Sequence, residues 1–81
     1  MISLHIKGDM RDAFTAADAH QVELNSIAVR YRSGIAETFA SCYDRDLTKV
    51  MQWYGEDTEL IDGYGYEKGT LLLFSVADKE V

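Results

Sequence analysis

An α+β domain is what three features of this sequence predict. Two stretches, residues 2–7 and 26–32, alternate apolar and polar residues with the period of a half-buried strand. Two others, residues 9–20 and 44–55, repeat apolar residues at helical spacing, and a near-continuous apolar run at residues 70–76 has the look of a central strand. With one further strand after a turn at Ser33-Gly34, the order is β-α-β-β-α-β. Right-handed crossovers turn that order into a four-stranded antiparallel sheet, strand order 4-1-3-2, with both helices on one face: the ferredoxin-like arrangement, in which the first and third strands are central.

The first strand rests on Ile2, Leu4 and Ile6 alternating with Ser3, His5 and Lys7, and Gly8-Asp9 breaks the alternation. Asp9 is placed to cap a helix running to about His20. Met10, Ala13, Phe14 and Ala17 share one face of it, and Asp12 adds acid to the N-terminal turn. A stripe made mostly of alanine lets the helix lie close to a sheet, with Phe14 as its main anchor. In residues 26–32, Ile27, Val29 and Tyr31 alternate with Ala28, Arg30 and Arg32. A two-residue loop at Ser33-Gly34 fixes the register that follows: Arg32 against Ile35, Tyr31 against Ala36, Arg30 against Glu37, Val29 against Thr38, Ala28 against Phe39. Arg30 and Glu37 then form a cross-strand ion pair. Cys42 falls on the apolar side with Thr38 and Ala40, where it reads as a small core residue.

Residues 44–55 form the best-defined helix, with Leu47, Val50, Met51 and Tyr54 at i, i+3, i+4 and i+7. Asp44 or Asp46 can cap it, and Gly55 is a candidate left-handed stop. Trp53 lies beside the stripe, either at the edge of the core or as an exposed anchor. Residues 56–69 make a long connection for so small a domain, to be read as a loop or as an added short edge hairpin. A polar tail, expected to be flexible, starts at about residue 77.

Eighty-one residues without proline are expected to form a single domain spanning 1–81. The net charge of −6 is uneven: residues 1–43 carry five acids and four bases, residues 44–81 nine acids and four bases. A field of that sign disfavours nucleic-acid backbone and anionic membrane and suits a host protein with a basic surface. No apolar run approaches the ~20 residues of a membrane span, the N-terminus lacks a secretory pattern, and the lone Cys42 fits a reducing compartment, so a cytoplasmic protein is expected.

Chemistry-bearing patterns are sparse. The run Asp57-Thr58-Glu59-Leu60-Ile61-Asp62-Gly63 has Ile61 and Lys68 where a calcium loop needs oxygen ligands. His5, His20 and Cys42 lack the paired spacing of a zinc site, and Gly63, Gly65 and Gly69 lead into a strand rather than a helix. No enzyme, metal or cofactor is expected. Two surfaces remain. The first is acidic and aromatic: Glu56, Asp57, Glu59 and Asp62 with Tyr64, Tyr66 and Trp53, suited to a basic groove on a protein. Its alternative is a solvated acidic loop whose tyrosines fold back on the core. The second is the uncovered sheet face, with His5, Lys7, Arg30, Arg32 and Phe39, arranged as single-stranded RNA or nucleotide readers arrange cations and aromatics. That face with Ile35 and Phe39, a candidate edge strand at residues 26–32 and Trp53, if exposed, together also favour self-association as a homodimer or as a structural protein.

The N-terminal strand, the Asp-initiated alanine-rich helix, Trp53-Tyr54 closing the second helix and the final Gly69-Thr70-Leu71-Leu72-Leu73-Phe74-Ser75 together resemble small uncharacterised accessory proteins of bacteriophages. The resemblance implies a non-enzymatic protein that binds and inhibits a host nucleic-acid-handling or defence complex, as anti-CRISPR proteins do. It carries no site residue with it.

Overall fold

Alternation at the N-terminus does what its period dictates: Ile2, Leu4 and Ile6 are buried and Ser3, His5 and Lys7 turn to the other side of strand β1 (Ile2–Lys7). The computed structural model describes residues 1–77, so the expected tail beyond Ala77 lies outside the described residues. After β1 come α1 (Met10–Ala19), β2 (Leu24–Arg32), β3 (Ile35–Cys42), a 3₁₀ turn (Asp44–Asp46), α2 (Leu47–Glu56), β4 (Thr58–Ile61), β5 (Tyr64–Glu67) and β6 (Leu71–Val76). One antiparallel sheet has the order β2-β3-β1-β6, with β3 and β1 central. Strands β4 and β5 form a separate two-stranded sheet.

The domain is therefore α+β with a four-stranded antiparallel sheet and two helices, but the described residues hold six strands where four were expected. Residues 56–69 are neither an open loop nor an addition to the sheet edge. They form a hairpin with its own ladder, inserted between α2 and β6.

Local chemistry explains the turns. Ser33 and Gly34 both have positive φ, 52° and 78°, the backbone of a type I′ turn whose twist matches that of the flanking strands. The β2–β3 register is the one this turn demands, from Arg32↔Ile35 to Ala28↔Phe39. At the start of α1, the Asp9 carboxylate accepts from the Asp12 amide and the Asp12 carboxylate from the Asp9 amide, each at 3.0 Å. This reciprocal box satisfies two orphan donors of the helix.

One core joins both helices to one face of the sheet: Ile2, Leu4 and Ile6 pack with Ala13, Ala17, Val50, Trp53 and Leu71. Three expectations change here. Phe14 is not the anchor of α1. It stays 49% exposed while Ala13 and Ala17 make the contact, because alanines let the helix sit too close to the sheet for the ring to fit beneath it. Met51 is exposed and Trp53 takes its place in the α2 stripe. Gly55 has no positive φ and lies inside α2, which runs on to Glu56.

Asp44 and Asp46 are also structural. Asp44 pairs with the N-terminal amine at 2.7 Å. Asp46 is buried, makes no cap bond to α2, and instead accepts from the Glu23 amide at 3.3 Å, with the Lys49 amine 3.5 Å away.

Trp53 is wholly buried, so truncation leaves a large void in a small core. Trp53→Ala should cost about 3–5 kcal/mol, against a total stability of roughly 5–15 kcal/mol. Urea unfolding followed by circular dichroism checks this; an unchanged midpoint would place the indole outside the core.

Candidate functional site

Asp62 and Gly63 both adopt positive φ, 51° and 85°, giving the inserted hairpin the same two-residue type I′ turn as β2–β3. The register follows: Ile61↔Tyr64, Leu60↔Gly65, Glu59↔Tyr66, Thr58↔Glu67. Directly opposed residues share a face, so Glu59, Ile61, Tyr64 and Tyr66 stand together on one side and Thr58, Leu60 and Glu67 on the other. Four large side chains are open to solvent, Leu60 at 74%, Ile61 at 52%, Tyr64 at 80% and Tyr66 at 44%. Tyr66 donates its hydroxyl to Glu59 at 2.7 Å, and that bond to a carboxylate holds the phenol proton, raising its pKa above 10.0. Only Thr58 of the eight strand residues is even half-buried. A cleft of about 250 Å³ lies between the hairpin and Tyr54.

An isolated two-stranded hairpin is marginal in water, so its base must be held. Asp57 holds it. Its Oδ2 accepts from the amides of Thr70 at 2.9 Å and Leu71 at 2.6 Å, while its carbonyl accepts from the Lys68 amide at 2.7 Å. The chain entering the hairpin is thereby tied to the chain leaving it. Gly69 is required at this point, because a Cβ there would collide with the Asp57 carboxylate.

The sequence-derived acidic and aromatic group is thus divided. Glu59, Asp62, Tyr64 and Tyr66 come together on the exposed hairpin, and Glu56 is exposed just before it, 3.8 Å from His20. Asp57 is spent on the clamp. Trp53 does not belong to the surface at all: its ring stacks on His20 at 5.0 Å and its Nε1 donates to Thr70 Oγ1 at 3.1 Å. Leu60 and Ile61 join the site as apolar members. The signal for them was Asp62-Gly63, a hairpin dipeptide between Thr58-Glu59-Leu60-Ile61 and Tyr64-Gly65-Tyr66-Glu67.

The residues of the second surface lie on the uncovered sheet face, His5, Lys7, Glu37 and Phe39 on the two central strands and Arg30 and Arg32 on β2. His5 stacks on Phe39 at 4.5 Å between centroids, and the Arg30 guanidinium lies 5.1 Å from the Phe39 centroid. The ring is already engaged by both. His5 Nε2 is shielded from solvent and 3.7 Å from Glu37, too far for a hydrogen bond.

Cys42 is buried, and its thiol is pushed up to about 11, first by burial and then by the negative charges of Asp46 and Asp44. A thiol so protonated is a poor nucleophile at neutral pH. Among the described residues no group of three or more His, Cys, Asp or Glu could hold a metal ion, and no helix is long and apolar enough to cross a membrane. No family model matches the chain, and neither the curated proteins nor the solved structures provide a match.

Two outcomes follow from this geometry. Asp57→Ala strands two partly buried amides and should lower stability by ~1–3 kcal/mol, whereas Glu59→Lys on the exposed strand should stay within about 0.5 kcal/mol. Parallel urea titrations separate them; equal effects would remove the clamp from the account. For Cys42, a folded pKa of about 11 above the ordinary 9.0 means that its contribution to stability is complete below pH 9.0 and is lost as pH rises through about 11. Replacing it with alanine should flatten that part of the stability profile, and iodoacetamide at pH 8 should label the native protein only as fast as it opens.

Proposed function

We propose that the protein is a non-enzymatic binding module that presents the β4–β5 hairpin to a protein partner. Its scaffold is a ferredoxin-like set of four strands and two helices into which the hairpin is inserted. The observation that carries this reading is the hairpin itself, where Leu60, Ile61, Tyr64 and Tyr66 are all exposed between Glu56, Glu59, Asp62 and Glu67. Small domains do not ordinarily leave that much apolar and aromatic surface on one projecting element unless something covers it. Tyrosines on a short, turn-locked hairpin lose little conformational freedom on binding, and a carboxylate rim steers the element toward a basic groove.

The likeness to phage accessory proteins extends the proposal. The partner would be a host nucleic-acid-handling or defence complex, whose basic groove the carboxylates occupy as phosphates would, making the protein an anti-CRISPR-like inhibitor working in the host cytoplasm. The single-stranded RNA reading is less favoured, because His5 and Arg30 already occupy Phe39 and a base would have to displace one of them.

Affinity capture from a bacterial lysate, with the wild-type chain and Tyr64→Ala side by side, tests the proposal. Tyr64→Ala should weaken the captured complex by ~1–3 kcal/mol, roughly 5- to 150-fold, with an unchanged melting temperature. Reversing Glu59 and Asp62 to lysine should slow association and flatten its salt dependence. Partner binding that survives both changes would remove the hairpin from the function.

A further inference from the structure

The two-residue loop at Ser33-Gly34 determines which amides of β2 are free. In such a hairpin the residues flanking the loop, Arg32 and Ile35, exchange both backbone bonds, and bonded and non-bonded pairs then alternate along the ladder. Arg32, Arg30 and Ala28 therefore point their N–H and C=O groups at β3. Ile27, Val29 and Tyr31 point theirs at the opposite edge, where no strand among the described residues pairs with β2. The Gly8 amide bonding to Ala36 O at 3.2 Å fits this alternation, since Ala36, opposite Tyr31, turns its carbonyl away from β2.

The side chains of these three edge residues all lie on the helix side of the sheet. Val29 and Tyr31 line an open groove of about 820 Å³ with Met10 and Phe14 of α1, bordered by Asp9, Arg11 and Thr15, and in it Tyr31 is 71% exposed. From Ser26 to Arg32 the edge has no proline, no bulge and no charge of its own on the helix side, while the bulge between Leu24 and Ser26 and the Arg30 and Arg32 side chains on the other face confine pairing to this stretch.

We propose that the β2 edge is the homodimer interface of this protein, two copies pairing β2 against β2 antiparallel about a two-fold axis through Val29. The free groups favour this register, because it alone puts Ile27, Val29 and Tyr31 all into bonded pairs with one another, whereas an axis through any other residue leaves at least one of the three unmatched. Val29 then bonds Val29 of the second copy, and Ile27 bonds Tyr31 of the second copy, twice over. The side chains fit it as well. The large Tyr31 faces the smaller Ile27, Arg30 faces Ala28 and Arg32 faces Ser26, so no two cations are directly opposed. The two grooves meet edge to edge on the helix side. Burying what Met10, Phe14 and Tyr31 still expose, at ~150–250 Å² for a whole aromatic side chain, removes on the order of 300–400 Å² per copy before any backbone is counted. Strand backbone added to that reaches the ~500 Å² per partner that is the lower bound for a specific contact, as a weak to moderate dimer needs. An extended peptide could use the same edge but would not meet this side-chain match. The dimer is an eight-stranded sheet with β6 and the hairpin at each outer end, so it holds two hairpins for bivalent binding.

Light scattering from about 10 µM to about 1 mM, a range spanning weak to moderate affinity, should give a mass rising to about twice 9.1 kDa. Val29→Pro removes a free-edge N–H and no bond of the β2–β3 ladder, and should hold the mass at 9.1 kDa with the far-ultraviolet spectrum unchanged. Tyr31→Lys, on a side chain exposed in the single copy, should do the same if the proline variant folds poorly. Register is read by Ala28→Cys with Arg30→Cys in a Cys42→Ser background, where the close non-bonded pairing across the axis should give a covalent dimer on oxidation. A mass of 9.1 kDa at every concentration overturns the proposal. So does a dimer that survives both Val29→Pro and Tyr31→Lys and forms no cross-link.

Discussion

Thr70 is where the molecule is tied together. Its hydroxyl accepts from the Trp53 indole and its amide donates to the Asp57 carboxylate, so the end of α2, the base of the inserted hairpin and the start of β6 meet at one residue. The Thr70 carbonyl also accepts from the Lys7 amide at 2.8 Å, which extends the knot to the end of β1. A small core has few ways to hold an insertion of this length without strain or slack. Here the buried indole supplies packing and Asp57 supplies direction, since a carboxylate accepting several amide hydrogens fixes their relative orientation more tightly than apolar contact can. Gly69 is the steric condition for that arrangement.

From that knot the domain divides into surfaces with separate work. The helix side of the sheet is filled by small residues of α1 and by the Val50 and Trp53 side of α2, leaving a groove between the first half of α1 and the end of β2. The opposite face stays uncovered and organises itself in rows: Ser3, Ser41 and Ser26 across three strands, then His5 with Phe39, then Lys7, Glu37 and Arg30. Arg30 and Arg32 sit on one edge strand, and Glu59, Asp62 and Glu67 on the hairpin that precedes the other edge. Two cations at one edge and three carboxylates beside the other give the described surface a charge gradient across the sheet, which bears on a partner's direction of approach.

Much of this was legible in the residues. Strict alternation at Ile2, Leu4 and Ile6 has one structural meaning, and Ser33-Gly34 specified a register that every pair of the β2–β3 ladder obeys down to Ile27↔Ala40. The Asp9 cap was legible for the same reason: cap chemistry involves residues three apart and nothing else. The acidic and aromatic surface was legible in composition, but its membership was not. Glu59, Asp62, Tyr64 and Tyr66 stand together because of a ladder, whereas Asp57, one residue outside that ladder, turns inward to amides thirteen and fourteen residues away.

The sequence by itself determined the things that depend on near neighbours: strand periodicity, the β2–β3 turn and its register, the cap of α1, and the charge asymmetry between the two halves. Tertiary structure alone decided how each helix rolls on the sheet, and with it whether Phe14, Met51 or Trp53 is buried. On α2 the spacing permitted either Met51 or Trp53 in the stripe. The indole goes inward because His20 offers a stacking surface and Thr70 an acceptor, and both are brought to it from distant segments by the sheet. The hairpin follows the same division, its turn being local while its projection from the domain depends on a clamp closed between residues far apart in sequence.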